Sequence, residues 1–264
     1  MSRVLPGLLM ACLWGMLLGF AGPALFWLAI VIGSGIAFYE YQRMCFPSLS
    51  AVRRVLLIVV SLAPVFASIF SGSTSVTSGL FVGFFGLVLL LFFWYPDFGD
   101  GFLFLSRSGF GIFYIGLCAA HIVLLRLLPG GVGWLAVLTA ITIGSDTGAY
   151  YVGRKFGRRK LCPAISPGKT IAGAVGGLLV GTLAALVVGA LLPGQVSILF
   201  CLAAGVILVP VGIIGDLTES VIKRATGSKD SGTLLAGHGG LLDRVDSLLL
   251  TAPTLYYLLL GLGT

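Results

Sequence analysis

Long apolar stretches follow one another along almost the whole chain, and this feature restricts the possible folds more than any other. Apolar residues make up 58% of the 264 positions and charged residues only 9%, whereas soluble domains carry about 25% charged residues. The 16 basic and 9 acidic side chains are too few to cover a soluble protein of this size. The composition excludes a soluble globule, a disordered chain and a broad nucleic-acid-binding face. It predicts an all-α, polytopic integral membrane protein, because helices satisfy their own backbone hydrogen bonds in lipid.

Nine segments are predicted to cross the membrane, since about 20 apolar residues suffice for one crossing. They cover roughly residues 4–21, 23–39, 55–71, 80–95, 109–127, 132–152, 171–192, 196–216 and 241–260. Small residues at 172–177 (AGAVGG) indicate that helix backbones approach closely there.

The basic residues predict the orientation of these spans. They lie at the N-terminus and in the connections between spans two and three, four and five, six and seven, and eight and nine. Positively charged loops face the cytoplasm, so the N-terminus is expected there, and only Arg126 fits poorly. The net charge of +7 therefore does not call for a nucleic-acid partner. The compact loops favour the plasma (inner) membrane of a prokaryote, with the polar site facing the cytoplasm.

The chain is predicted to consist of two regions with different roles. Residues 1–130 read as transmembrane scaffold helices with short linkers. Residues 131–264 read as a catalytic transmembrane region, because 140–250 contains six of the nine acidic residues and nearly all polar clusters.

The first polar cluster is GDLTESVIKR, residues 215–224. On a helix, the side chains of Asp216, Glu219, Ser220, Lys223 and Arg224 share one face. An i,i+4 ion pair between Glu219 and Lys223 is the structural interpretation. Asp216 follows an apolar run, where an acid costs about 2.5–3.5 kcal/mol to insert and usually has a function or a partner.

The second cluster is LLDRVDS, residues 241–247, at the start of the ninth span. Asp243 and Asp246 share a helix face, and two nearby carboxylates repel unless a cation bridges them. Hard oxygen ligands of this kind suit Mg²⁺. The alternative is a pair of acids stabilised by the helix dipole, with Arg244 as a partner.

The third cluster is the connector 229–240, which places Lys229 and His238 beside four glycines. Glycine-rich backbone can turn N–H groups towards phosphate. His238 can instead be an ordinary loop histidine.

The fourth cluster, residues 144–170, begins near Asp146, continues with five basic residues at 154–160 and ends in SPGKT. The basic run is typical of headgroup binding, and Lys169 beside a helix N-terminus indicates an anion site. It is not a P-loop, because the glycine spacing is absent and no strand is predicted before it. Together the four clusters predict phosphoryl or nucleotidyl chemistry on an amphipathic substrate.

The stretch from Ser220 to Asp246 resembles the signature of the CDP-diacylglycerol synthase (phosphatidate cytidylyltransferase) family. It matches S-x-x-K-R, then K-D-x-G, then H-G-G-x-x-D-R-x-D. The segments DTGAY, GRKFG and ISPGKT are similar to a second hallmark, so the resemblance covers roughly 140–250. Two positions depart from the pattern: Ala172 stands where the family has Glu, and Ala236 where it has Pro.

The resemblance implies that CTP and phosphatidic acid react to CDP-diacylglycerol and pyrophosphate, with Mg²⁺ and a second cation such as K⁺, in a homodimer. It implies metal ligation by Asp216 and Asp243, supported by Glu219 and Asp246. The implied catalytic residues are Asp216, Lys223, Arg224, Asp243 and Asp246. The implied substrate-binding residues are Asp146, Ser166, Lys169, Lys229, His238 and Arg244.

Three other functions stay open at this point. A related cytidylyltransferase could act on an unusual, archaeal-type lipid phosphate. A CTP-dependent lipid-alcohol kinase would use similar groups but attack the γ-phosphorus. A transporter would place ionisable groups near the midplane, often in a repeat, and no repeat is visible in this sequence.

Overall fold

A computed structural model of the protein describes residues 4–70, 72–97, 99–192, 197–232 and 239–262. Within these ranges the chain is almost entirely helical. The helices are α1 (Val4–Phe20), α2 (Pro23–Cys45), α3 (Ala51–Ser61), α4 (Ala63–Ala67), α5 (Ser73–Trp94), α6 (Gly101–Gly111), α7 (Cys118–Leu127), α8 (Gly131–Phe156), α9 (Ile171–Ala190), α10 (Ile198–Ala225) and α11 (Leu242–Leu262). Short 3₁₀ turns cover Ser68–Phe70 and Tyr95–Asp97, and a π-helical segment, Ile112–Leu117, joins α6 to α7.

Six helical segments in the described ranges are long and apolar enough to cross a membrane. They are α2, α5, the continuous segment Gly101–Leu127, α8, α9 and α10. A seventh is obtained if α3 and the following Ala63–Phe70, which meet at 40°, count as one span. A helix lies at each of the nine predicted segments, but α1 is shorter and α11 is outside this set. The helical membrane fold is confirmed, and the count of nine crossings stays a prediction.

The chain forms two compact units. Unit 1 comprises Met1–Leu127 and Ser228–Asp243, and unit 2 comprises Leu128–Gly227 and Arg244–Thr264. The first division lies close to the predicted boundary at 130/131. The segment 228–243, however, belongs with the N-terminal helices, although the sequence placed it in the catalytic region. The separation into scaffold and catalytic parts stays a prediction.

The core of unit 1 includes the side chains of Leu57, Leu87, Phe104 and Ile112, all buried and packed together. Unit 1 also explains Arg126, whose position fitted the predicted orientation poorly. Its guanidinium donates to the carbonyl oxygen of Ala21 at 2.9 Å and lies over the ring of Phe26. Arg126 therefore has partners within unit 1, and the orientation of the spans stays a prediction.

Helices α8 and α9 of unit 2 pack in close contact along small residues, as AGAVGG predicted. A Cβ atom added to Gly177 would lie 2.9 Å from the backbone oxygen of Ser145, and one added to Gly173 would lie 2.9 Å from that of Ala149. Gly181 faces the backbone of Ile141 in the same way. The contacts advance by four residues on both helices in opposite directions, so α8 and α9 are antiparallel neighbours.

A β-hairpin joins these two helices. Strand β1 (Lys160–Cys162) pairs antiparallel with β2 (Ser166–Thr170). Thr170 then caps α9, since its hydroxyl oxygen accepts a hydrogen bond from the Gly173 N–H at 3.0 Å. The expectation that no strand precedes SPGKT is wrong, because β1 lies before it and SPGKT itself forms β2. The P-loop spacing is nevertheless absent.

Helices α10 and α11 also approach through glycine. A Cβ atom on Gly215 would lie 2.5 Å from the backbone oxygen of Asp246, and Gly212 lies beside Ser247 and Thr251. The close approach brings Asp246 of α11 against the part of α10 that carries Asp216. Asp216 lies within α10, which continues for nine more residues to Ala225. At 1.5 Å per residue this is about 14 Å from the helix end, so residues 216–224 lie on a helix, as the sequence predicted.

Candidate active site

Unit 2 contains a cavity of about 550 Å³, here called the charged cavity. Its wall is formed by α8, the hairpin, the start of α9, α10 and α11. The charged residues of the wall are Asp146, Arg154, Lys160, Lys169 and Asp216. A volume of this size lies in the range of small-ligand sites, about 300–1,000 Å³. The charges on its wall favour a polar ligand.

An ion pair between Lys169 and Asp216 lies in this wall. The Lys169 Nζ is 2.6 Å from Asp216 Oδ2, and both side chains are partly exposed. The Ser220 hydroxyl is 3.5 Å from the other oxygen of Asp216. Lys169 comes just before the N-cap of α9, so the ion pair fixes the start of that helix against α10.

Two further carboxylates lie near this ion pair. Asp146 on α8 and Asp246 on α11 both interact electrostatically with Asp216 and with Lys169. Asp246 is buried, and its Oδ1 accepts a hydrogen bond from the Ser247 N–H at 2.6 Å. Four of the predicted site residues are therefore brought together within one unit: three acids around one lysine.

The predicted ion pair between Glu219 and Lys223 is present. Glu219 is buried, and its Oε2 is 2.7 Å from the Lys223 Nζ. Neither residue is among those that form the wall of the charged cavity. Arg224 points to the hairpin, where its Nε donates to the carbonyl oxygen of Ile165 at 3.5 Å. The catalytic roles predicted for Lys223 and Arg224, and metal support by Glu219, stay predictions.

Asp243 lies in unit 1, at the second residue of α11. Its Oδ2 accepts hydrogen bonds from the Ser231 N–H (3.1 Å), the Ser231 hydroxyl (2.9 Å) and the Gly240 N–H (2.8 Å). Gly239 has φ = +78°, and a Cβ there would lie 2.5 Å from the same carboxylate oxygen. Glycine is required at 239 for both reasons.

Glu40, near the end of α2 in unit 1, also contacts this segment. It is buried, its Oε1 accepts from the Leu241 N–H at 2.9 Å, and its Oε2 accepts from the Leu242 N–H at 2.9 Å. The N–H groups of Ser231, Gly240, Leu241 and Leu242 thus bind carboxylates. Two of these groups, those of Ser231 and Gly240, belong to the glycine-rich connector, and phosphate binding by the connector stays a prediction.

The remaining predicted substrate-binding residues lie elsewhere. Lys229 and Arg244 are exposed, and Ser166 is the half-buried first residue of β2, paired with Cys162. Ser166 is not among the residues that form the charged cavity. His238 lies outside the described residues.

Three of the four predicted metal ligands, Asp216, Glu219 and Asp246, lie in unit 2, and the fourth, Asp243, lies in unit 1. The described residues include no set of three or more His, Cys, Asp or Glu side chains arranged to hold a metal ion. Asp216 and Glu219 bind lysine ammonium groups, and Asp243 binds the hydroxyl and N–H groups of its own segment. The oxygen donors suit a hard cation, and metal binding by these four residues stays a prediction.

Sequence reasoning missed Arg154 and Lys160, which belong to the basic run that was assigned to headgroup binding. Asp146, Tyr150 and Arg154 are spaced i, i+4 and i+8, so one helix face carries all three into the wall. That spacing could have identified Arg154. Glu40 was also missed, although it is the first acidic residue of the chain and follows a long apolar run.

Fold and site together define a largely helical integral membrane protein that carries a charged cavity. The cytidylyltransferase family model matches residues 1–262. The chain is 33% identical over 267 residues to the phosphatidate cytidylyltransferase of Bacillus subtilis (strain 168), across 98% of this chain and 97% of the relative. The chain belongs to the cytidylyltransferase family.

Two further relatives match over shorter segments. The uncharacterized protein YnbB of Escherichia coli (strain K12) is 44% identical over 143 residues, 52% of this chain and 48% of that protein. A phosphatidate cytidylyltransferase of Pseudomonas aeruginosa is 40% identical over 158 residues, 60% of this chain and 58% of the relative. The match thus spans about half the length of these two proteins and nearly all of the Bacillus protein.

Proposed function

We propose that this protein transfers the cytidylyl group of CTP to phosphatidic acid, giving CDP-diacylglycerol and pyrophosphate. One observation carries the proposal: in a unit built from membrane-length helices, Lys169, Arg154 and Lys160 share a cavity wall with Asp146 and Asp216. Basic groups of this kind bind phosphates. Membership of the family and the names of the Bacillus and Pseudomonas relatives support the same reaction.

The reaction requires positioning and charge neutralisation more than a strong base. An oxygen of the lipid phosphate forms a bond to the α-phosphorus of CTP, and the bond from that phosphorus to the bridging oxygen of the β-phosphate breaks. The attacking oxygen is already ionised, so no proton must be removed from it. We assign to Lys169, Arg154 and Lys160 the role of neutralising phosphate charge while the two substrates are held in line.

Asp216, Asp243 and Asp246 are proposed as essential acids, and Asp146 is proposed to bind substrate near Asp216 and Asp246. Lys229, His238 and Arg244 remain proposed substrate contacts, because their segment matches the family signature. The requirement for Mg²⁺, and for a second cation such as K⁺, stays a prediction from the resemblance. Activity that is lost on chelation and restored by Mg²⁺, but not by K⁺ alone, is the expected result.

The finer topology is also proposed. Nine crossings with a cytoplasmic N-terminus would place the basic connections, and the charged cavity with them, on the cytoplasmic side of a prokaryotic plasma membrane. Cysteine labelling of intact cells tests this arrangement at Thr74 and Arg158, in a background without the native cysteines. Labelling is expected at 74 and not at 158. A homodimer is proposed by family analogy, and cross-linking in membranes tests it.

The decisive experiment uses purified protein, phosphatidic acid, Mg²⁺ and CTP labelled at either the α- or the γ-phosphate. Transfer of the α-label to lipid, dependent on phosphatidic acid, is expected. Transfer of the γ-label to an added lipid alcohol would instead identify a kinase. If folded protein transferred neither label, phosphatidic acid would not be its acceptor, and lipid phosphates with other backbones would be tested next.

A further inference from the structure

We propose that Glu40 is a positioning residue for the segment that carries Asp243. Glu40 lies on α2, about 190 residues away in the sequence from the segment that it contacts. The inference rests on the proposed function, because it assumes that Asp243 takes part in cytidylyl transfer.

Several hydrogen bonds converge on the Glu40 carboxylate. Glu40 accepts hydrogen bonds from the N–H groups of Leu241 and Leu242, which begin α11. The Ser231 hydroxyl lies 3.3 Å from Glu40 Oε2 and 2.9 Å from Asp243 Oδ2, so it can donate to either acid. Glu40 therefore holds both ends of the connector and lies one hydroxyl group away from Asp243.

Two glycines of the connector lie in close contact with the Glu40 carboxylate. A Cβ atom on Gly232 would lie 2.7 Å from Glu40 Oε1, and one on Gly240 would overlap both Glu40 Oε2 and the Ser231 hydroxyl. Two glycines of the connector thus leave room for a carboxylate from another helix. This gives Gly232 and Gly240 a structural reason that does not involve phosphate.

The negative charge of Glu40 lies at the N-terminus of α11. The first N–H groups of a helix lack partners within the helix and carry partial positive charge. A buried carboxylate at this position satisfies two of them, so α11 starts at a fixed place with Asp243 in its first turn. Without this anchor, residues 228–232 and 239–243 are expected to open locally while the rest of unit 1 stays folded.

Hydrogen exchange and kinetics on purified, folded protein test the proposal. In Glu40→Gln, an NH₂ group replaces one carboxylate oxygen. This donor then faces an N–H group, with which it cannot form a hydrogen bond. Exchange in peptides covering 228–232 and 239–243 is expected to rise about tenfold or more, and exchange in α5 is expected to stay unchanged. The kcat for α-label transfer is expected to fall about tenfold, with the KM for CTP within twofold.

Gln42→Leu is the matched control. Gln42 is buried on the same helix two residues further on, and neither polar atom of its amide has a hydrogen-bond partner among the described residues. It is expected to leave both exchange and kcat unchanged. If Glu40→Gln does not fold, Gly232→Ala tests the same contact, because its methyl group displaces the Glu40 carboxylate.

Unchanged exchange at 228–232 and 239–243 would overturn the proposal, and so would raised exchange with a wild-type kcat. A uniform loss of protection throughout the protein would also contradict it, since Glu40 would then only stabilise the fold. If the wild-type protein transferred no cytidylyl group, the proposed function would fail separately. The exchange comparison would still decide whether Glu40 holds the segment.

Discussion

Lys169 and Asp216 form an ion pair of 2.6 Å that joins the end of β2 to α10. Two other carboxylates, Asp146 and Asp246, interact with the same pair. One lysine therefore neutralises part of a cluster of three acids, two of which, Asp146 and Asp216, lie in the wall of the charged cavity. A phosphate that enters the cavity competes with Asp216 for this lysine, so the ion pair is expected to rearrange when CTP binds.

Replacing Lys169 tests this role. Lys169→Met keeps much of the apolar stem and removes the charge, so Asp216 faces two acids without its cation, and phosphate loses a partner. The kcat/KM for CTP is expected to fall about 100-fold, or ~2.7 kcal/mol of transition-state stabilisation. The control is Lys155→Met, which removes an exposed lysine beside Phe156. An activity of Lys169→Met close to that of Lys155→Met would contradict the assignment.

Only some residues of the basic run 154–160 line the charged cavity. All four of the residues Arg154, Arg158, Arg159 and Lys160 are exposed, but Arg154 and Lys160 belong to the wall, and Arg158 and Arg159 do not. Arg154→Gln with Lys160→Gln is expected to raise the KM for CTP about tenfold. Arg158→Gln with Arg159→Gln removes the same charge and is expected to change it less than twofold. Equal effects would indicate headgroup binding by the whole run.

Asp243 is expected to be essential for turnover. Asp243→Asn keeps the size of the side chain and an oxygen acceptor for Ser231 and Gly240, but it removes the charge. Transfer of the α-label is expected to fall at least about 1,000-fold in protein that still folds. Asp97→Asn is the control, because Asp97 forms an exposed ion pair with Arg53, and such pairs contribute about 1 kcal/mol or less. Near-wild-type transfer by Asp243→Asn would remove it from the site.

Close packing of α8 on α9 is expected to maintain the cavity. A Cβ atom at Gly148 would lie 2.5 Å from the backbone oxygen of Gly176, which a side-chain rotation cannot relieve. Gly148→Leu is expected to destabilise unit 2 by about 1–3 kcal/mol and to reduce activity. Gly109→Ala is the control, since it adds a methyl group to α6 where no atom lies within 4 Å. Thermal unfolding in detergent measures both variants.

The sequence predicted the helical membrane fold because composition and apolar run length constrain the segments strongly. It also predicted the Glu219–Lys223 pair, since i,i+4 spacing brings side chains together on any helix. Local patterns of this kind do not depend on how the helices pack.

The sequence did not reveal Glu40 or the binding of connector N–H groups to carboxylates. Both depend on contacts between residues about 200 positions apart, which no local pattern reports. The hairpin was missed because β1 and β2 have only three and five residues, too short for an alternating pattern to stand out. The grouping of Asp146, Lys169, Asp216 and Asp246 likewise follows from glycine-mediated helix packing, which the sequence indicated only for α9.

Ala172 stands where the related signature has Glu. It is the second residue of α9, half-buried, and it is not among the described residues that form the charged cavity. A glutamate there would lie in the first turn of α9, where the helix dipole favours an acid by about 0.3–1 kcal/mol. Ala172→Glu is expected to raise thermal stability slightly and to leave kcat within about twofold, because Lys169 is already paired with Asp216. Ala172→Gln is the matched control for size without charge. If kcat rose tenfold in Ala172→Glu but not in Ala172→Gln, the prediction would be wrong. The active site would then be able to use an acidic side chain at position 172 that the protein itself lacks.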